Sequence, residues 1–386
     1  MKPIKTMSSI ALLCISCLSI CCKEEKREQS GKILQIDIPL QADETHLPAD
    51  SLFCGKEILA LETTPDNLIS KVDKLEMTND RLYLLDEQQD MIFIFDRKGK
   101  YITKIADIGR GPAEYIEISD FHIDNDVLYL CTGGNGGKII CYDLDGKYQK
   151  SFRTEYSCNR ITTDSNSIYV HHNFSHPNGN NVGVYDKKEN KLVKCYKPYP
   201  KQQEGIGSSN RCWTSCNNKV YAAFDYEYSI YTLQPDTCQI VTQIDFGKNH
   251  MFPPEYKDYS FFQHQNYINQ TGGIFKSPVV QFCNTLFVTP KRTIFNFIYT
   301  CYNHICIIDH QTHTMKFGIP WPDEYYWNIH GLDPIYASDE YLVSTKSSSG
   351  IINYRNIHGK VAFTEKEWSL DITEESNPCL YFYKLK

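Results

Sequence analysis

The densest group of side chains able to coordinate a metal is His171-His172-Asn173-Phe174-Ser175-His176. Imidazoles at this density suit zinc or copper. On a strand, however, His171 and His172 point to opposite faces, so they cannot chelate one ion together, and His176 has to loop back to join either. These three are weak metal candidates, and no metal or other cofactor is predicted. A second chemical stretch is Gly109-Arg110-Gly111-Pro112-Ala113-Glu114-Tyr115. Its glycines allow a tight backbone and Pro112 stiffens it, which makes Arg110, Glu114 and Tyr115 candidates to face a ligand. The alternative is a structural staple, with Arg110 paired to an acid and Tyr115 packed between sheets. A third stretch, Pro320 to His330, concentrates aromatics in a Pro-broken loop. There Trp321 or Trp327 could stack on a sugar face, and Trp213 beside Arg211 is a further candidate. The alternative is that these rings fill space between sheets.

No sequence-local catalytic motif accompanies these residues. Gly-x-Ser-x-Gly, His-Glu-x-x-His and Gly-x-x-x-x-Gly-Lys-Ser/Thr are all missing. The Gly109 loop is not a phosphate loop, because no helical pattern follows it. No carboxylate repeats on the predicted inner strands. Asp86, Asp96, Asp143, Asp186 and Asp309 do recur, but at strand ends, where they are expected to accept turn hydrogen bonds.

The elements that must carry these residues form a repeat. Arg81-Leu82-Tyr83-Leu84-Leu85-Asp86 is followed by Met91-Ile92-Phe93-Ile94-Phe95-Asp96 and a turn through Gly99. Val127-Leu128-Tyr129-Leu130 is followed by Lys138-Ile139-Ile140-Cys141-Tyr142-Asp143 and a turn through Gly146. Looser copies begin at Asp164, Asn218 and Lys291, and a degenerate sixth at Ser338. Strand–turn–strand units of about 40–50 residues without helical periodicity read as propeller blades. The fold expected is all-β, a six-bladed β-propeller. Its ring is expected to close by pairing of N- and C-terminal strands, Gly55–Glu62 with the terminus Asn377–Lys386, because an unclosed end blade would expose an edge.

Composition bounds the rest. Hydrophobic residues make up 41% of 386, with 27 Tyr and 19 Phe, enough for a large core and favourable to strands. The net charge is −7 and there is no basic cluster, so nucleic acid is not an expected partner. Of sixteen cysteines, twelve follow Cys22, scattered and without Cys-x-x-Cys. Several sit in apolar strands, where cysteine acts as a small hydrophobe, so buried thiols with one or two bridges are expected. Cys212 and Cys216 are one possible pair.

The first residues are a basic start and a brief apolar run ending at Cys21-Cys22-Lys23-Glu24-Glu25. This is an export signal rather than a membrane span. It resembles a bacterial lipoprotein signal, which implies acylation at Cys22 after removal of residues 1–21. The expected organisation is a flexible tether over 22–31 and a propeller over 32–386, with insertions near 247–279 and 347–376.

Glu62-Thr63-Thr64-Pro65, the run Phe95 to Tyr101, the Gly109–Tyr115 piece and the terminus from Asn377-Pro378 to Lys386 together resemble the six-bladed β-propeller lipoproteins of Bacteroides and its relatives. In fold these are similar to NHL-type propellers. The resemblance implies an outer-membrane lipoprotein, surface-exposed or else facing the periplasm, and is silent on chemistry. The function expected is non-catalytic binding, as receptor or accessory subunit for a glycan, a peptide or a neighbouring membrane transport protein. The rival is a lyase or hydrolase with a metal or carboxylates in the central channel.

Overall fold

Strands buried on both faces dominate the chain, because each sheet is sandwiched between two others. The computed structural model describes residues 33–40, 46–133, 137–204, 210–225, 227–273, 275–321, 332–360 and 364–386. The chain enters along the outside: β1 (Leu34–Asp37), β2 (His46–Pro48), one helical turn α1 (Ala49–Leu52), then β3 (Phe53–Ala60). Blade 1 follows as β4 (Lys74–Met77), β5 (Arg81–Asp86), β6 (Met91–Asp96) and β7 (Tyr101–Ile105). Blade 2 is β8 (Asp120–Asp124), β9 (Val127–Cys131), β10 (Lys138–Asp143) and β11 (Tyr148–Arg153). Blade 3 is β12 (Arg160–Thr163), β13 (Ser167–His171), β14 (Asn180–Asp186) and β15 (Leu192–Pro198). Blade 4 is β16 (Trp213–Cys216), β17 (Lys219–Ala223), β18 (Ser229–Leu233) and β19 (Cys238–Asp245). Helix α2 (Phe261–Gln270) precedes blade 5: β20 (Gln281–Val288), β21 (Arg292–Tyr299), β22 (Tyr302–Asp309) and β23 (Met315–Trp321). Blade 6 takes β24 (Tyr336–Ala337), β25 (Tyr341–Lys346) and β26 (Cys379–Leu385), with α3 (Ser348–His358) and α4 (Glu365–Trp368) between its last two strands.

Among the described residues these strands make six sheets, and the protein is a six-bladed β-propeller. The ring closes as the sequence predicts: β3 supplies the outer strand of blade 6 and pairs antiparallel with β26 from Cys379↔Ala60 to Leu385↔Phe53. Two further strands escape the sequence reading. β1 adds in parallel to the outer edge of blade 4, and β2 in parallel to that of blade 5. The entering segment thus covers the outer edges of two blades before completing a third, which removes two exposed edges.

The core is divided among the gaps between blades. Phe93 and Phe95 point toward Val343, Leu380 and Phe382 of blade 6, while Ile92 and Ile94 point toward Phe121, Leu128 and Ile140 of blade 2. This is the two-residue period of a strand used on both faces. Equivalent clusters fill the remaining gaps, so burial itself runs around the ring.

The repeat is also legible in irregularities. The outermost pairing slips at Ile94/Phe95, Cys141/Tyr142, Val184/Tyr185 and Ile230/Tyr231, one bulge at the same place in four blades. In blades 1 to 3 the Asp that follows caps the turn. Asp96 accepts from the amides of Lys98 and Lys100, both at 2.8 Å, and Asp186 from those of Lys188 (2.8 Å) and Glu189 (2.6 Å). The expectation of disulfides is corrected: all twelve cysteines after Cys22 are free thiols. Cys212 is buried and its Sγ faces the carbonyl of Cys283 at 2.6 Å, not Cys216. Most of these thiols fill strand interiors, where only a small apolar side chain fits.

Candidate functional site in the central channel

The inner strands of the blades surround an axis, and their alternate residues project into it. On β4 these are Lys74 and Glu76, on β8 Asp120 and His122, on β16 Trp213 and Ser215. With Arg160, Arg211 and Glu87 they line a cavity of about 890 Å³. On β4 and β8 the intervening Leu75 and Phe121 pack in the apolar gaps between blades.

One network centres on Asp120, which is almost fully buried. Its Oδ1 accepts from Lys74 Nζ and Arg211 Nη1, both at 3.0 Å, and its Oδ2 from the amide of Ile161 at 3.1 Å. The other arm of Arg211 binds Glu87. Burial pushes the Asp120 carboxyl up, but Lys74, Arg211 and Arg160 outweigh it and hold the group below the ordinary carboxylate range. Arg160 is itself buried. Its Nε donates to the Asn210 carbonyl (3.0 Å) and its Nη1 to the Ser119 carbonyl (2.9 Å).

A second network joins three blades. Ser215 Oγ lies 3.2 Å from His122 Nε2, and His122 Nδ1 lies 3.1 Å from Glu76 Oε1. Glu76 is held in turn by Lys74 at 3.1 Å and by the amide of Ile123 at 2.7 Å. Burial acts to raise the Glu76 carboxyl, and the charges of His122 and Lys74 overcome it, so this group too lies below its ordinary value. A neutral His122 ring with its proton on Nδ1 facing Glu76 would offer Nε2 as the acceptor for the Ser215 hydroxyl. That is the connectivity of a serine–histidine–carboxylate relay.

Of the sequence candidates among the described residues, only Arg211 and Trp213 lie in this cavity. Arg110 and Glu114 are on the surface, and Glu114 Oε2 accepts from the amide of Gly111 at 2.7 Å. Tyr115 is buried between blades 1 and 2, its hydroxyl donating to the carbonyls of Asp90 (3.0 Å) and Ile105 (3.1 Å). Lys138 of blade 2 reaches back to the Gly111 carbonyl at 2.9 Å, so the loop ties two blades together. The side chain of Trp321 and all of Trp327 lie outside the described residues. His171 packs against Trp213 and Phe224, while His172 and His176 lie together elsewhere, with ring centroids 5.0 Å apart.

Glu76 and Asp120 are inner-strand carboxylates that do not repeat from blade to blade: the position of Asp120 on β8 is that of Lys74 on β4, and the position of Glu76 is that of His122. Neither of these, nor Lys74, His122 and Ser215, was singled out by the sequence. The available signal was polar alternation, Lys74-Leu75-Glu76 and Asp120-Phe121-His122. Alternation alone does not say whether the polar face meets solvent or a channel.

A family model for a domain of unknown function, DUF4934, matches residues 33–384. The chain belongs to the DUF4934 family. No curated protein matches this DUF4934 chain. Among solved structures it is similar to a Bacteroides fragilis NCTC 9343 protein designated as exported, at 17% identity and TM-score 0.71, covering 92% of this chain and 99% of that one. A DUF4221 member from Bacteroides vulgatus aligns at 10% identity and TM-score 0.48, covering 87% and 97%. The likeness to the Bacteroides fragilis protein, at 17% identity, speaks to fold alone.

Proposed function

We propose that this DUF4934 protein is exported, acylated at Cys22 and held at the outer membrane, where its propeller binds a polar ligand in the central channel. The observation that carries this reading is the cavity of about 890 Å³, a volume suited to a small ligand. Its wall carries paired charges of both signs beside the half-buried ring of Trp213. Such a wall fits a short peptide better than a neutral glycan. A peptide's amino and carboxylate groups can exchange with Asp120–Arg211 and Glu87–Arg211, and an aromatic side chain can lie on Trp213. The peptide belongs either to a free substrate or to a segment of a neighbouring membrane transport protein. The export signal before Cys22 and the likeness in fold to an exported Bacteroides fragilis protein support the location. Calorimetric titration of the mature protein with a peptide library should find micromolar binders that Arg211→Ala and Trp213→Ala weaken at least about tenfold. Equal binding by wild type and both variants refutes the channel as the site.

The Ser215–His122–Glu76 relay supports a second reading, a hydrolase acting through Ser215. Binding stands first because the nearby cations, Lys74 and Arg211, are already engaged by carboxylates rather than aimed at a developing oxyanion. A fluorophosphonate probe decides between them. Labelling that Ser215→Ala abolishes establishes the hydrolase; an unlabelled wild type dismisses it.

A further inference from the structure

We propose that His172, His176 and Cys195 form a zinc site on blade 3, away from the central channel. Their candidate ligand atoms all lie within 4.8 Å of one another. The site exists because the chain reverses after β13: Asn173 and Phe174 take positive φ values of 51° and 57°, and His176 returns over β14 and β15. That bend is the one the sequence required for any two of these histidines to meet.

Each group is prepared differently. The His172 ring faces the Ser157 carbonyl through Nδ1 at 2.7 Å, which places the proton on Nδ1 and leaves the Nε2 lone pair available. This is the backbone support that metal-binding histidines commonly have. Burial keeps the ring neutral, pushing its pKa down to about 4. Its Nε2 lies 3.8 Å from Cys195 Sγ, close to the ~3.6 Å edge expected of a tetrahedral zinc site with one sulfur and one nitrogen. Gly183, paired in register with Cys195, makes room: a Cβ there would stand 2.4 Å from His172 Nε2.

His176 is buried, and its Nε2 has no hydrogen-bond partner. Its Nδ1 accepts from the Asn178 amide at 3.0 Å, so ligation through Nε2 gives up that one contact as the proton moves to Nδ1. The Tyr156 ring closes over both imidazoles. Glu155, exposed nearby, acts electrostatically on both His176 and Cys195, and the fourth position falls to water. Two nitrogens and a sulfur select zinc over calcium or magnesium. On binding, the Cys195 S–H bond breaks, a Zn–S bond forms and the proton passes to solvent.

The test uses the mature protein stripped with chelator and titrated with Zn²⁺ or Co²⁺. One equivalent of zinc is expected, weakening about tenfold per pH unit of acidification as the thiol proton competes. Co²⁺ should give a near-ultraviolet sulfur-to-metal charge-transfer band that Cys195→Ser removes. Both His176→Gln and Cys195→Ser should weaken zinc at least about tenfold. Circular dichroism checks that the variants are folded. Binding below about a tenth of an equivalent at micromolar zinc overturns the proposal, as does zinc binding unchanged in both variants. Cu⁺ binding without zinc binding overturns the choice of metal.

Discussion

Asn377 ties the end of the chain to its beginning, and its removal should loosen ring closure measurably. The residue is buried, just before β26. Its Nδ2 donates to the carbonyls of Glu62 (2.9 Å) and Asn67 (3.0 Å), and its Oδ1 accepts from the amide of Ile69 (2.8 Å). Its own amide donates to Thr63 Oγ1 at 2.9 Å. Asn377→Ala strands three backbone groups that lie more than 300 residues away in sequence. At about 1 kcal/mol each, the loss is about 3 kcal/mol. Unfolding entropy of about 2.1 cal/mol/K per residue over roughly 350 residues is about 0.7 kcal/mol/K, so Tm should fall by about 4 °C. Calorimetry should show this drop for Asn377→Ala and less than about 1 °C for the exposed Glu189→Ala. Asn377→Asp should also destabilise, because it keeps the acceptor, loses both donors and buries a charge. A Tm for Asn377→Ala within about 1 °C of wild type would falsify the closure argument.

Two further outcomes follow from the geometry. Gly99 and Gly146 occupy equivalent turns with φ of +81° and +77°, but a Cβ on Gly99 would meet the Ala60 carbonyl at 2.5 Å, whereas on Gly146 it meets only side chains at 3.3 Å. Both alanine variants carry a backbone penalty of about 1 kcal/mol, and Gly99→Ala should cost about 1–2 kcal/mol more, read as a lower urea midpoint. Asp120 and Glu76 are the second case, since both carboxyls lie below their ordinary values when folded. Their contribution to stability is full above the unfolded carboxylate pKa of about 4 and is lost as pH falls through the lower folded values. Melting temperature should therefore drop below about pH 4, and Asp120→Asn should lower Tm at pH 7 while flattening part of the acid loss.

The blade repeat was legible because it is local. Phe95-Asp96 with Gly99 and Tyr142-Asp143 with Gly146 each encode a strand, a bulge and a turn within about ten residues. The sixth blade was legible only as a degenerate copy beginning at Ser338, completed by Gly55–Glu62 and the terminus Asn377–Lys386, which both read as strands in need of partners. β1 and β2 were not legible. They are short, and they pair in parallel with edges whose identity depends on the whole ring. The same holds for the sites. Ser215, His122 and Glu76 sit on three blades, and no spacing along the chain relates them.

By itself, then, the sequence determined the architecture: alternation with period two, the turn residues and the matching terminal strands all act between near neighbours or along one edge. Only the tertiary structure decided the chemistry. Closing the ring turned the polar faces of separate inner strands toward one axis, joining Asp120 to Arg211 across 91 positions. The reversal after His171 did the same on a smaller scale, parting His171 from His172 and bringing His176 and Cys195 to the latter. Side chains meet according to distance in space, and a repeat pattern specifies that distance only after every blade is in place.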